Sequence, residues 1–63
     1  MSSRAYRNNN PGNIRHHGPF RSVYPVVARW RGIDDESNYA KFPSVPYGCA
    51  ALADLIATIY KDM

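Results

Sequence analysis

Cys49 is the only cysteine in the chain, and one cysteine cannot close a disulfide within it. A four-ligand zinc site would lack its usual thiolates. At 63 residues, a chain of this size buries only about 60% of its unfolded surface. Stability must therefore come from one small apolar core and its hydrogen bonds, or from pairing with a second copy as a homo-oligomer. An apolar content of 44% supplies such a core. It leaves no room for a dinucleotide-binding unit, a barrel or a two-lobed enzyme. No apolar run approaches the roughly 20 residues that span a bilayer, and the N-terminus lacks the apolar stretch of a signal peptide. Neither a membrane partner nor secretion is expected, which favours the cytoplasm.

Charge divides the chain. Residues 1–33 carry six arginines (Arg4, Arg7, Arg15, Arg21, Arg29, Arg31) and no acid, whereas residues 34–63 set Lys41 and Lys61 against Asp34, Asp35, Glu36, Asp54 and Asp62. Arginine is the residue for bidentate contact with phosphate or carboxylate. An anionic macromolecule is the expected partner: an acidic protein, a nucleic acid or a cell-wall polymer.

The expected organisation is one α+β domain, with a small antiparallel sheet of two or three short strands packed against one C-terminal helix. Residues 1–7 read as a frayed terminus. Asn8, Asn9, Asn10, Pro11, Gly12 and Asn13 form a dense turn cluster, in which asparagines accept left-handed backbone and Pro-Gly suits a type II turn. Ile14–His17 reads as a short strand, broken by Gly18-Pro19. Residues 19–25 read as loop, with Phe20 and Tyr24 pinned to the core. Over 26–31 the alternation predicts a strand, with Val26, Ala28 and Trp30 inward and Val27, Arg29 and Arg31 outward. The acidic loop 32–37 joins it to a second strand, 38–42, which turns Ala40 and Phe42 inward and Tyr39 and Lys41 outward. Together these make a hairpin over 26–42.

Ser44 then stands as N-cap, with Pro46 in the first turn of a helix over 45–61. Its apolar stripe reads Cys49, Leu52, Ile56, Ile59 and Tyr60. Gly48 is its weak point. Trp30, Phe42, Leu52 and Ile56 are expected to pack together.

No catalytic constellation emerges, and no cofactor is expected. Glycosidase chemistry needs a carboxylic acid with a raised pKa, usually facing a second carboxylate. Glu36, the only glutamate, lies in a polar loop, and Asp54 lies on the polar helix face. His16 and His17, adjacent on a strand, would point to opposite faces, so no metal site is expected. Cys49 reads as packing rather than as a nucleophile. No glycine loop has a phosphate-cradling spacing. Arginines, asparagines and aromatics interleave from Tyr6 to Trp30, as single-stranded nucleic acid would require, but with no nucleic-acid motif.

The nonapeptide Arg7-Asn8-Asn9-Asn10-Pro11-Gly12-Asn13-Ile14-Arg15 resembles a segment near the start of a lysozyme-like domain in phage and prophage virion-associated proteins. The resemblance continues through Trp30-x-Gly32, Tyr39-Ala40-Lys41-Phe42-Pro43-Ser44 and Tyr47-Gly48-x-x-Ala51-Leu52, and covers roughly residues 7–60. More distantly, the order of elements is similar to bacterial glucosaminidase domains. The nonapeptide is fairly specific and the rest is loose. In those families a catalytic glutamate lies on a helix before the Asn-rich turn, but here only six residues precede Arg7. The related proteins also run on past this helix, whereas this chain stops at Met63. The resemblance therefore implies the sheet-and-first-helix half of a wall-hydrolase domain, without its catalytic acid. The starting methionine and the capped helix favour a natural small protein over a fragment. The Asn cluster is expected to be structural first, and a glycan contact second.

Three functions compete. The first is a non-catalytic phage- or prophage-encoded inhibitor of a host or defence protein, such as an anti-CRISPR. The second is a peptidoglycan- or glycan-associated virion component. The third is a binder of single-stranded nucleic acid. The expected partner face is the outward side of the hairpin, with Arg29 and Arg31 on one strand and Tyr39 and Lys41 on its neighbour. Arg7 and Arg15 extend it, and the cluster of Arg4, Arg7 and Arg15 is the next place to look.

Overall fold

The computed structural model describes residues 3–18 and 21–62; the expectation for Phe20 lies outside them. The elements run α1 (Arg4–Arg7), α2 (Val23–Arg29), β1 (Ile33–Asp34), β2 (Ala40–Lys41) and α3 (Val45–Asp62). The sheet is antiparallel, pairing Ile33 with Lys41 and Asp34 with Ala40. The chain is an α+β unit with a C-terminal helix, as the pattern predicts.

The Asn run closes a helix. Arg4–Arg7 is one helical turn rather than a frayed end, and the Ser3 hydroxyl accepts the Tyr6 amide at its N-terminus. Asn8 is its C-cap, and Asn9 follows in the left-handed region at φ 52°. The Asn9 amide donates to the Tyr6 carbonyl, and the Asn10 amide donates to the Ala5 carbonyl. This pair of bonds is a Schellman closure, in which asparagine pays less for left-handed backbone than most residues. The second left-handed residue of the cluster is Asn13, at φ 48°. Gly12 has no positive φ, so the expected type II turn at Pro11-Gly12 does not form.

Asn10 then becomes a core residue. It is fully buried, and its side-chain amide donates to the carbonyls of Ile14 and Ala40 while its Oδ1 accepts the Ile14 amide. Three bonds at about 2.9 Å compensate the burial of a group that would otherwise be costly to desolvate. They hold the Ile14 segment beside β2, where Arg15 bridges Tyr39 and the Ala40 amide donates to the Ile14 carbonyl. The expected strand at Ile14–His17 is reduced to this single bridge.

The largest departure from the sequence expectation is at 23–31. Val23–Arg29 is helix, not loop followed by strand, so there is no hairpin over 26–42. Val23, Val26 and Val27 are all buried, and Trp30 packs against the same core. That spacing of three, four and seven is a helix stripe. A six-residue alternation beginning at Val26 cannot be told from it. Pro25 sits in the helix's first turn, where its missing amide costs nothing. The same placement leaves Tyr24 about half exposed rather than pinned inside. α2 also ends in a Schellman closure, with the Arg31 amide on the Ala28 carbonyl and the Gly32 amide on the Val27 carbonyl. Arg31 occupies the left-handed position, at φ 62°.

The shortened hairpin turns on Asp34–Tyr39. Asp34 Oδ1 accepts the amides of Glu36 and Asn38, and Asp35 Oδ1 accepts those of Ser37 and Tyr39. The acidic loop is therefore knitted internally. Its left-handed residues are Glu36 and Asn38. After it, Ala40 and Phe42 are buried and Lys41 is exposed, as the alternation predicts, while Tyr39 is half-buried.

α3 begins as expected, with the Gly48 amide donating to the Ser44 carbonyl. Its stripe is rotated from the predicted one. Gly48 and Ala51 are buried, with Leu52 and Leu55 half-buried beside them. Cys49, Ile56 and Tyr60 are exposed, Ile56 at 59%. Gly48 and Ala51 face inward where α3 lies against the Asn9 backbone and α2. Ile14, Val23, Val27, Ala40, Phe42 and Ala51 form the core.

Candidate functional site

Tyr39 lies between Arg15, its bridge partner, and Arg4 on α1. The guanidinium carbon of Arg4 stands 4.2 Å from the centre of the Tyr39 ring, and that of Arg15 stands 5.5 Å away. Both are within cation–π range. Beside them opens a polar groove of about 490 Å³, lined by Arg7, Asn8, Lys41 and the acidic turn. Arg4 and Asp35 also line it, with 3.7 Å between Nε and Oδ2.

Asp35 anchors this groove. The Asn8 side-chain amide donates to its Oδ2 at 2.8 Å, and this bond is the main reason its pKa lies below the ordinary aspartate value. Partial burial opposes the shift, while the amides of Ser37 and Tyr39 and the charge of Arg4 add to it. Its Oδ2 stands 3.7 Å from the Nε of Arg4, whose guanidinium lies over the Tyr39 ring.

Only part of the expected partner face assembles. Tyr39 and Arg15 meet, and Lys41 joins Arg7 along the groove. Arg29 and Arg31 do not join them, because they lie at the end of α2 rather than on a strand. The Arg29 guanidinium bonds Asp54 at 2.6 Å, and the Trp30 indole donates to the same carboxylate oxygen at 2.8 Å. Asp54 is therefore half-buried and bonded, not a bare surface group. Its pKa is lowered, chiefly by the Trp30 bond, against partial burial and with help from Arg29 and Thr58. Among the described residues, Arg7, Arg15 and Lys41 form no salt bridge.

Glu36 is exposed, as expected of a loop residue. Within the Asn cluster, Asn8 bonds Asp35, the Asn9 side chain bonds the Phe42 carbonyl, and Asn10 is buried. The roles of Asn8 and Asp35 in shaping the groove were not predicted. Their pairing spans 27 residues, and no local spacing signals it. His16 and His17 also depart from expectation. They lie beyond the one bridged residue, and their Nδ1 atoms are 3.0 Å apart instead of on opposite faces.

Among the described residues, no helix is long and apolar enough to cross a membrane. Comparison of the chain with protein-family models, curated protein sequences and solved structures finds no match.

Proposed function

We propose that this is a non-catalytic binding protein that holds an acidic partner on the face formed by Arg4, Arg7, Arg15, Tyr39 and Lys41. The observation that carries the reading is the pair of guanidinium groups over one tyrosine ring. Arg4 is tethered by Asp35, and Arg15 makes no salt bridge among the described residues. Arginine and tyrosine are the residue types most enriched in binding hot spots. A pre-oriented guanidinium loses less freedom on meeting a carboxylate or phosphate. The carboxyls of Asp35 and Asp54 are held low, the opposite of what a general acid needs. In the phage setting that the nonapeptide's resemblance suggests, the partner is an acidic surface of a host or defence protein, and binding it inhibits that protein.

A second reading, association with a cell-wall glycan, is favoured by the mixed lining of the groove. Ser37 there offers an exposed neutral hydroxyl of the kind that hydroxyl-rich polymers bond.

The test is affinity capture from a bacterial lysate, with and without nuclease, alongside sedimentation with peptidoglycan sacculi. A nuclease-resistant protein partner is expected. The variant Arg7→Ser/Arg15→Ser/Lys41→Ser should lose about tenfold or more in affinity while remaining folded. Binding should weaken as salt shortens the screening length towards about 8 Å. Unchanged affinity in the triple variant overturns the proposed face. Capture that vanishes with nuclease, or that occurs only on sacculi, replaces the partner class.

A further inference from the structure

Two adjacent imidazoles with converging ring nitrogens need something between them. Two bare Nδ1 lone pairs repel, and so do two protonated rings. A separation of 3.0 Å suits either an N–H···N hydrogen bond, one ring donating to the other, or a cation bound by both nitrogens. The backbone holds this geometry. Asn38 clamps the segment, since its carbonyl accepts the His16 amide, its Oδ1 accepts the His17 amide, and its Nδ2 donates to the His17 carbonyl. Tyr24 stacks on the His17 ring, 5.0 Å centre to centre and 4° from parallel, and meets the His16 ring edge-on at 5.2 Å.

Asp34 supplies a third donor. Its Oδ1 is occupied by the amides of Glu36 and Asn38, and no described residue donates to its Oδ2. The donor atoms of His16, His17 and Asp34 all lie within 4.8 Å of one another. Two nitrogens 3.0 Å apart, each about 2.1 Å from a common ion, subtend an angle of about 90° there. That is the angle between neighbouring ligands in square-planar and octahedral coordination, and a pair of imidazole nitrogens suits late transition metals rather than Mg²⁺.

We propose that His16, His17 and Asp34 bind one divalent late-transition-metal ion. The ion replaces the hydrogen bond between the rings, displacing its proton to solvent, and staples the segment after Arg15 to β1. The site adjoins the groove through Asp34, which lines both, but it does not depend on the function proposed for that face.

The test is calorimetric titration of the full chain with NiCl₂, and with MgCl₂ as the hard-cation control. One equivalent of Ni²⁺ should bind and raise the melting temperature, with no heat from Mg²⁺. His16→Ala and His17→Ala should each weaken binding about tenfold or more, because each breaks a chelate. The Asn38 clamp on His17 uses only its backbone, so His17→Ala keeps it, and circular dichroism checks its fold. Asp34→Asn retains an oxygen acceptor for the turn amides and should also weaken Ni²⁺ binding. The site is overturned if no Ni²⁺ binds, or if more than one equivalent binds with equal affinity. It is overturned equally if either single-histidine variant, or Asp34→Asn, binds as tightly as the parent.

Discussion

The carbonyl oxygen of Asn9 occupies the space where a side chain on Gly48 would begin. A Cβ there would overlap that oxygen and meet Pro11 Cδ at 3.0 Å. The left-handed turn of the Asn cluster thus rests directly on the first turns of α3. Gly48 is the point of contact between the N-terminal cap and the C-terminal helix, and its flexibility is the cost of that approach.

Gly48→Ala therefore sets two effects against each other. Helix propensity favours alanine by about 1 kcal/mol. The obstructing atoms are backbone and cannot rotate away, and overpacking of this kind costs about 1–3 kcal/mol or more. The variant should be less stable than the parent in urea denaturation. A more stable variant would mean that the cap does not rest on α3.

Arg31 offers the opposite case. It holds the left-handed position of the α2 closure at φ 62°, is exposed, and makes no salt bridge among the described residues. Left-handed backbone costs a residue with a Cβ about 1–2 kcal/mol, which glycine does not pay. Arg31→Gly should raise the unfolding free energy by up to about 1 kcal/mol, after the extra unfolded-state entropy of glycine is subtracted. Thermal and urea unfolding measure it, and a fall in stability would contradict the helical ending.

Acid should destabilise the protein through Asp35 and Asp54. Both folded pKa values lie below the ordinary value of 3.8, so both groups stabilise the fold when ionised. Their contribution is complete above the unfolded pKa and is lost as pH falls through the folded one. The melting temperature should change little through these groups from neutrality to about pH 5 and then drop as pH approaches and passes below the unfolded carboxylate range. Asp54→Asn should flatten part of that drop and shift the emission of Trp30, whose indole donates to the Asp54 carboxylate.

Core truncation separates the observed α3 face from the one predicted by spacing. Phe42 is 2% exposed and Ile56 is 59% exposed. Phe42→Ala should cost about 3–5 kcal/mol, enough to unfold a domain this small. Ile56→Ala should change stability by about 0.5 kcal/mol or less. Equal losses in the two variants would restore the predicted stripe.

The sequence by itself determined features that are local. Ser44 and Pro46 mark the start of α3 because capping and proline chemistry act within one turn. Ala40 and Phe42 face inward because a strand alternates. The Asn run stops regular structure because asparagine accepts left-handed backbone. Tertiary structure decided what local rules leave degenerate. Val26–Arg31 fits both a strand and a helix, and only the burial of Val23, Val26 and Val27 together selected the helix. The rotation of α3 was set by the close approach of Asn9 at Gly48, which brings Gly48 and Ala51 inward and turns Ile56 out. The Arg4–Tyr39–Arg15 cluster joins residues far apart in the chain, and the adjacent His16 and His17 meet Asp34 only across the fold. No spacing encodes them, because contacts of that range exist only once the folded backbone has set their distances.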